Sequence, residues 1–294
     1  MKITVITPYY EGDKYMDGFV DSMLSNEAAL KSAGHSLEVI LVNDSPWKKL
    51  EIPDEEKSFF KVITNPENKG IHYSRVAGLQ KATGDYIMFL DQDDVLEVDA
   101  LAQMLAAAKT KAAQVMVCNA YLEQSDGNKL LWYRNDYHKS LIGDLTTYLR
   151  VGIQIISPGQ CLVKKDVIPA FWQEHLVQKN GADDYYLWLL LLAAGIRFDY
   201  LDKALYTHRY TKSNLSKDTN ITDASVYDFL DLLAECDYFK QEDIFTLHEM
   251  ITYKNQFRAS SKLGKITSSL ANLGLFIDNL KFKKKTGTGY GFNR

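Results

Sequence analysis

Unbroken apolar runs recur through the first third of the chain, separated by stretches whose apolar residues fall at helical spacing. Residues 3–8 form the first run, which Pro8 is expected to stop because proline has no N–H to give a ladder. Tyr15, Phe19, Met23 and Leu30 then lie near helical spacing up to Gly34. Residues 37–42 and 59–63 are the next runs, Asn68-Lys69-Gly70 opens a helix through Ala82, and residues 86–90 are the fourth run. A strand buried on one face alternates. These runs do not, so they predict strands covered on both faces of a mostly parallel sheet, with helices supplying the cover. The fold class is α/β.

Beyond Asp94 the pattern is mixed. It predicts a helix over 99–111, a strand over 115–121, a turn at 125–128 leading to a strand over 130–133, and a short helix over 141–151. Ser157-Pro158-Gly159-Gln160 precedes a short strand over 161–163, an apolar helix spans 185–194, and residues 196–206 read as edge strands. From about 222 to 280 the spacing is helical, and the chain then carries Lys281, Lys283, Lys284 and Lys285 and a glycine-rich tail.

The fourth run ends in Asp91, Asp93 and Asp94. Three carboxylates within four residues repel one another unless something positive sits among them. If the backbone stays extended, Asp91 and Asp93 share a face. The result is a hard, oxygen-rich cation site at the carboxyl end of a strand, where open α/β sheets bind ligands; oxygen donors suit magnesium or manganese. The plainer alternative is an acidic turn capping the helix that follows.

Composition narrows the partners. The chain has 294 residues, enough for a full core, and its net charge of −4 argues against a nucleic-acid binder. Cys118, Cys161 and Cys236 are scattered and make neither a disulfide framework nor a zinc pattern, which suits reduced thiols in the cytoplasm. A leader is not expected, since the chain enters an apolar strand by Ile3. The longest apolar run, 187–196, is half of the roughly 20 residues a spanning helix needs. A soluble cytoplasmic protein is expected, with peripheral contact at the inner face of a membrane as its only membrane role.

Five motifs in one order carry a resemblance. They are Val-Ile-Thr-Pro-Tyr-Tyr at 5–10, Val-Asn-Asp-Ser at 42–45, Asn-Lys-Gly with Ser74, Arg75 and Gly78, the 82–94 segment, and Asp-Asp-Tyr-Tyr-Leu-Trp at 183–188. Together they resemble family 2 glycosyltransferases of the GT-A fold, over roughly residues 1–216. The resemblance implies a catalytic domain over 1–216, with 1–94 its nucleotide-binding half and 95–216 its acceptor side. A helical extension with a basic tail follows over 217–294. It places Thr7, Pro8, Tyr10 and Glu11 in the loop that embraces the nucleotide base, Asp44 on the base, and Arg75 near the nucleotide. Asp91 falls near ribose and metal, Asp93 is the metal ligand, and Asp184 is the base. Departures are Asn43 for the first acid of the turn, Ser45-Pro46 for Gly-Ser, Glu11 for asparagine, and Thr211 where many members carry histidine. His208 reads first as an ordinary surface histidine, with a stand-in for that missing histidine at the metal or phosphate as the alternative.

The chemistry implied is transfer from a nucleotide-diphosphate sugar, with uridine the expected base, to a hydroxyl of a saccharide or lipid-linked saccharide. A divalent cation (Mn2+ or Mg2+) on Asp93 would steady the leaving diphosphate. Asp184 would take the acceptor proton, kept ionised by the start of its helix, with Asp183 as the cap. Direct displacement inverts the anomeric carbon, and bacterial polysaccharide synthesis is the expected setting. Trp132, Tyr133, Trp172 and Trp188 read first as core, and Gly159 and Gln160 as neighbours of the acceptor. Leu263, Ile266, Leu270, Leu273 and Ile277 fall at helical spacing before the lysines. They read first as a packed helix with a solvated tail; membrane contact and a homodimer are the other roles open to this region. A sugar-phosphate nucleotidyltransferase would need an early glycine-rich basic loop that residues 7–14 lack. A non-catalytic scaffold would have no use for Asp91, Asp93 and Asp184.

Overall fold

The computed structural model describes residues 1–52, 58–124, 126–209 and 219–288. β1 (Lys2–Tyr9), β2 (Ser36–Asn43), β3 (Phe60–Thr64) and β4 (Tyr86–Phe89) lie side by side as β3-β2-β1-β4, every pair parallel. Parallel neighbours need long crossovers, and α1 (Asp13–Ser32) and α2 (Ile71–Lys81) provide two of them. Val5, Ile6, Val39, Ile40, Ile87 and Met88 are all buried, which is why their runs do not alternate. Pro8 does not end β1. It pairs with Val42, beyond the last β1–β4 pair at Ile6 and Phe89, so it sits where β1 has a neighbour on one side only.

The second half of the sheet is mixed. Its strands are β5 (Val95–Leu96), β6 (Val115–Glu123), β7 (Lys129–Leu131), β8 (Cys161–Lys164) and β9 (Phe198–Arg209). β8 joins β4 antiparallel, and the order runs on through β6, β9 and β5, with β7 folded back on β6. The expected edge strand is an edge for half its length. Residues 198–204 of β9 have β6 alone beside them, while Tyr206 and Thr207 are covered by β5 on the other side. Strand order reverses between β1 and β4, and the carboxyl ends there form the crevice where such sheets take ligands.

Helix α3 (Ala100–Lys111) follows β5. A short helix not expected from the sequence, α4 (Asp136–Ser140), precedes α5 (Leu145–Arg150), which falls inside the span expected to be helical over 141–151. Asn135 accepts from His138 N, and Asp144 accepts from Thr146 N. α6 (Ala170–Glu174) and α7 (Asp183–Ala193) bring Trp172 and Trp188 into the core, and Trp132 and Tyr133 are buried as well. His72 ties α2 to this region. Its Nδ1 accepts from Val177 N at 3.0 Å and its Nε2 donates to the Trp172 carbonyl at 3.0 Å, an arrangement only the neutral ring satisfies. Burial accordingly pulls its pKa down to about 4.

Four helices complete the described chain: α8 (Thr219–Leu233), α9 (Gln241–Ala259), α10 (Lys262–Ala271) and α11 (Leu273–Thr286). Phe229 of α8 stacks on Tyr186 of α7 with centroids 5.6 Å apart, so the extension shares the main core. The C-terminal lysines are part of α11 rather than of a loose tail, anchored by buried Phe282. The apolar stripe read as packed is not. Leu263, Ile266, Leu270, Leu273 and Ile277 are all exposed; on α11 it is Leu275, Asn279 and Phe282 that form the face that packs.

Candidate active site

The acidic segment after β4 is a turn, not an extension of the strand. Asp94 N donates to the Asp91 carbonyl at 3.2 Å, which swings Asp94 away from the other two acids. Asp94 is buried and meets β9, accepting from Tyr206 Oη and, at 3.0 Å, from Arg209 N, with His208 Nδ1 3.2 Å away. Asp91 and Asp93 remain on the cleft.

Arg75 ties the site together. It rises from α2 with 3% of its side chain exposed and places one terminal nitrogen 2.6 Å from Asp91 and the other 2.6 Å from Asp183. The strand end and the start of α7, distant in sequence, are therefore fixed to one guanidinium. Its fork geometry suits two carboxylates. Asp183 is thus a partner of Arg75 rather than a helix cap; Ala182 occupies the cap position, with no side-chain bond.

Asp184, next in the chain, accepts from Tyr185 N at 2.7 Å and borders the cleft. Burial and the neighbouring Asp183 push its pKa up to about 7, against the pull of Arg75. The helix start does not keep it in the ordinary acid range. Burial, with Asp94 and Asp91 nearby, likewise raises Asp93 to about 7. Acids this ill at ease in one crevice mark a functional site.

On the far wall, Pro8, Tyr10 and Glu11 border the cleft as expected. Thr7 does not: β1 continues through Tyr9, so Thr7 is fully buried inside the sheet. Glu11 takes a left-handed conformation (φ 46°), and its carboxylate accepts from Trp47 Nε1 at 3.3 Å. Asp44 reaches the cleft with its oxygens already accepting from Asn65 Nδ2, Lys69 N and Gly70 N, each at 2.8 Å. Asn43, which replaces an acid, accepts from Ser45 N and donates to the Lys48 carbonyl, so it shapes the turn.

Three features escaped sequence reasoning. Gln92 bonds the Tyr10 backbone both ways, accepting from N at 3.2 Å and donating to O at 3.0 Å, and only a glycine at 12 leaves it room. His208 is buried and paired with Asp94, not a surface residue. Burial opposes its charge, but Asp94, Asp91 and Asp93 outweigh that and raise its pKa. Ser157 and Pro158 border the cleft, whereas Gln160 is fully buried, bonded to Ile156 N and the Cys118 carbonyl, and Gly159 packs against Tyr206. Thr211 lies outside the described residues.

The cleft holds about 640 Å³, in the range of a small-molecule site, and Asp93 and Asp184 face the same space. Among the described residues no three or more His, Cys, Asp or Glu side chains form a metal cage. Two carboxylates opening on a cleft still fit a magnesium-like ion, which keeps most of its shell for water and phosphate oxygens.

A parallel half-sheet ending in an acidic cleft, closed by a mixed half and followed by C-terminal helices, is the architecture of a GT-A glycosyltransferase. The chain belongs to glycosyl transferase family 2, whose model matches residues 4–172. It is 26% identical over 228 residues to glycosyltransferase GlyA of Streptococcus pneumoniae, covering 74% of this chain and 32% of that one. Over 109 residues it is 33% identical to the succinoglycan biosynthesis protein ExoO of Rhizobium meliloti, covering 35% and 30%. The chain thus spans about a third of the length of these relatives. Among solved structures, S. aureus TarS 1–349 in complex with UDP-GlcNAc matches with a TM-score of 0.61 at 17% identity, covering 97% of this chain and 82% of that one. Mannosyltransferase PcManGT from Pyrobaculum calidifontis, in complex with GDP-Man and Mn2+, matches with 0.52 at 15%, covering 97% and 84%. At such identities the likeness is one of fold.

Proposed function

We propose that the chain transfers a sugar from a nucleotide-diphosphate donor, with UDP as the carrier, to a hydroxyl acceptor, inverting the anomeric carbon. The observation that carries this reading is that Asp93 and Asp184 line one cleft. Pro8, Tyr10 and Asp44 border the end expected to hold the nucleotide. A divalent cation on Asp93 and Asp91 would supply Lewis-acid stabilisation of the diphosphate. Arg75 holds Asp91 and Asp183 in place, leaving Asp184 to accept the acceptor's proton. A relative named for succinoglycan biosynthesis favours bacterial polysaccharide synthesis. Proton NMR of the first product tests the stereochemistry: the transferred sugar carries the configuration opposite to the donor's, and retention would end the single-displacement reading.

Membrane contact belongs to the same proposal. No helix among the described residues is long and apolar enough to cross a membrane. The exposed apolar stripe of α10 and α11 is accompanied by exposed Lys262, Lys281, Lys283 and Lys284, a complement to an anionic lipid surface. Vesicles containing phosphatidylglycerol are expected to float the full chain, and Ile266→Glu with Leu270→Glu to abolish it. Equal flotation of both proteins, or a concentration-dependent dimer that ignores lipid, would contradict this.

A further inference from the structure

A second, smaller cavity of about 160 Å³ opens beside the main cleft. The two share Ile156, Gly181, Asp184 and His208 as walls, so whatever enters the smaller one reaches Asp184 from the side away from Pro8 and Asp44. Its remaining walls come from α8 and α9, from Gly152 and Ile153 after α5, and from Ala182 and Tyr185 at the start of α7. The volume is below that of a whole-ligand site and suits one small group. Val226, Met250 and Ile251 make one side apolar.

The polar side carries Lys254 and Arg258 together with the carboxylates of Asp223 and Asp184. Arg258 is already neutralised by Asp223 and also donates to Asn255 Oδ1. Lys254 is not neutralised. Its one hydrogen-bond partner among the described residues is the Val151 carbonyl, a neutral acceptor. Burial, with Arg258 nearby, pulls its pKa down to about 7 against the weaker attraction of Asp223, the direction expected of an ammonium lacking a counter-ion. A lysine whose only task was to tie Val151 would be an expensive donor for one carbonyl.

We infer that this side cavity is an acceptor subsite for an anionic oxygen group, a phosphate or a carboxylate borne next to the hydroxyl that is glycosylated, with Lys254 as its counter-ion. The inference rests on the reading of Asp184 as the base. The apolar wall then receives the rest of the acceptor, and α8 and α9 set which acceptor is used.

Met250 provides a local reporter. The full chain, carrying 13C-methyl methionine and saturated with UDP and magnesium, is titrated with inorganic phosphate, with glucuronate and with glucose. Phosphate or glucuronate is expected to shift the Met250 methyl signal saturably, and the tighter of the two names the acceptor's anion. Glucose should leave the signal in place. Lys254→Gln keeps an amide for the Val151 carbonyl but removes the charge, and should weaken anion binding at least tenfold while melting temperature and UDP binding stay the same. Anion binding unchanged in Lys254→Gln, no response to either anion, or glucose binding as well as glucuronate would overturn the inference. UDP failing to bind, with the Lys254-dependent anion response intact, would count against the transferase reading and not against the anion site.

Discussion

Asp184→Asn is expected to lower turnover by about 100- to 10,000-fold, the usual worth of a positioned base, with donor affinity unchanged. Stability moves the other way. The folded chain holds Asp184 near 7, above its unfolded value, so folding disfavours the ionised form and the penalty grows as pH rises from the unfolded pKa through about 7. Asparagine removes that penalty and should stabilise the protein at pH 8 by on the order of 1 kcal/mol. A structural role for Asp184 predicts the reverse: lost stability together with lost activity. In the wild type, turnover should fall as pH drops below about 7, because a protonated carboxyl cannot accept a proton. Single-turnover rates across pH 5.5–8.5 and urea denaturation of both proteins check the pair of effects.

Arg75→Met is expected to cost about 3–5 kcal/mol, the scale for removing one partner of a buried ion pair. Both carboxylates it serves would lose their counter-charge, Asp183 almost wholly buried and Asp91 28% exposed. Adding Asp183→Asn should return part of the loss, since one buried charge is then removed along with its partner. Urea midpoints of the single and double variants measure this. Activity should not return with stability, because Asp91 would no longer be held at the cleft.

The parallel half of the fold was readable because burial on both faces leaves a plain signature, an apolar run without alternation. Pro8 misled because its effect depends on the neighbour, and β1 has none on the β4 side at that position. The extra helix α4 and the start of α5 were written in Asn135 and Asp144, two capping residues ahead of short helices. The C-terminal stripe was visible as a period, but periodicity alone does not say which face meets the core; buried Leu275, Asn279 and Phe282 decide it.

Within the site, the local motif around Asp91 to Asp94 was legible, yet the separate fate of each acid was not. Asp94 turns to Tyr206 and Arg209, more than a hundred residues on, and Asp183 turns to Arg75. Such pairings are decided by the tertiary fold. The burial of His208 and the role of Gln92 were missed for the same reason: one has its partner in Asp94, the other in Tyr10. Thr7 shows the opposite error, in which a motif position was assigned to a loop although the strand had not yet ended.

On the proposed reading, Asp93 brings a cation to a nucleotide diphosphate in the cleft Asp184 borders. Titration calorimetry of UDP into wild type and Asp93→Ala, each with and without manganese, tests it most directly. Manganese should tighten UDP binding at least tenfold in the wild type and leave the variant's affinity nearly where it was. The same gain in both proteins, or none in either, would contradict it.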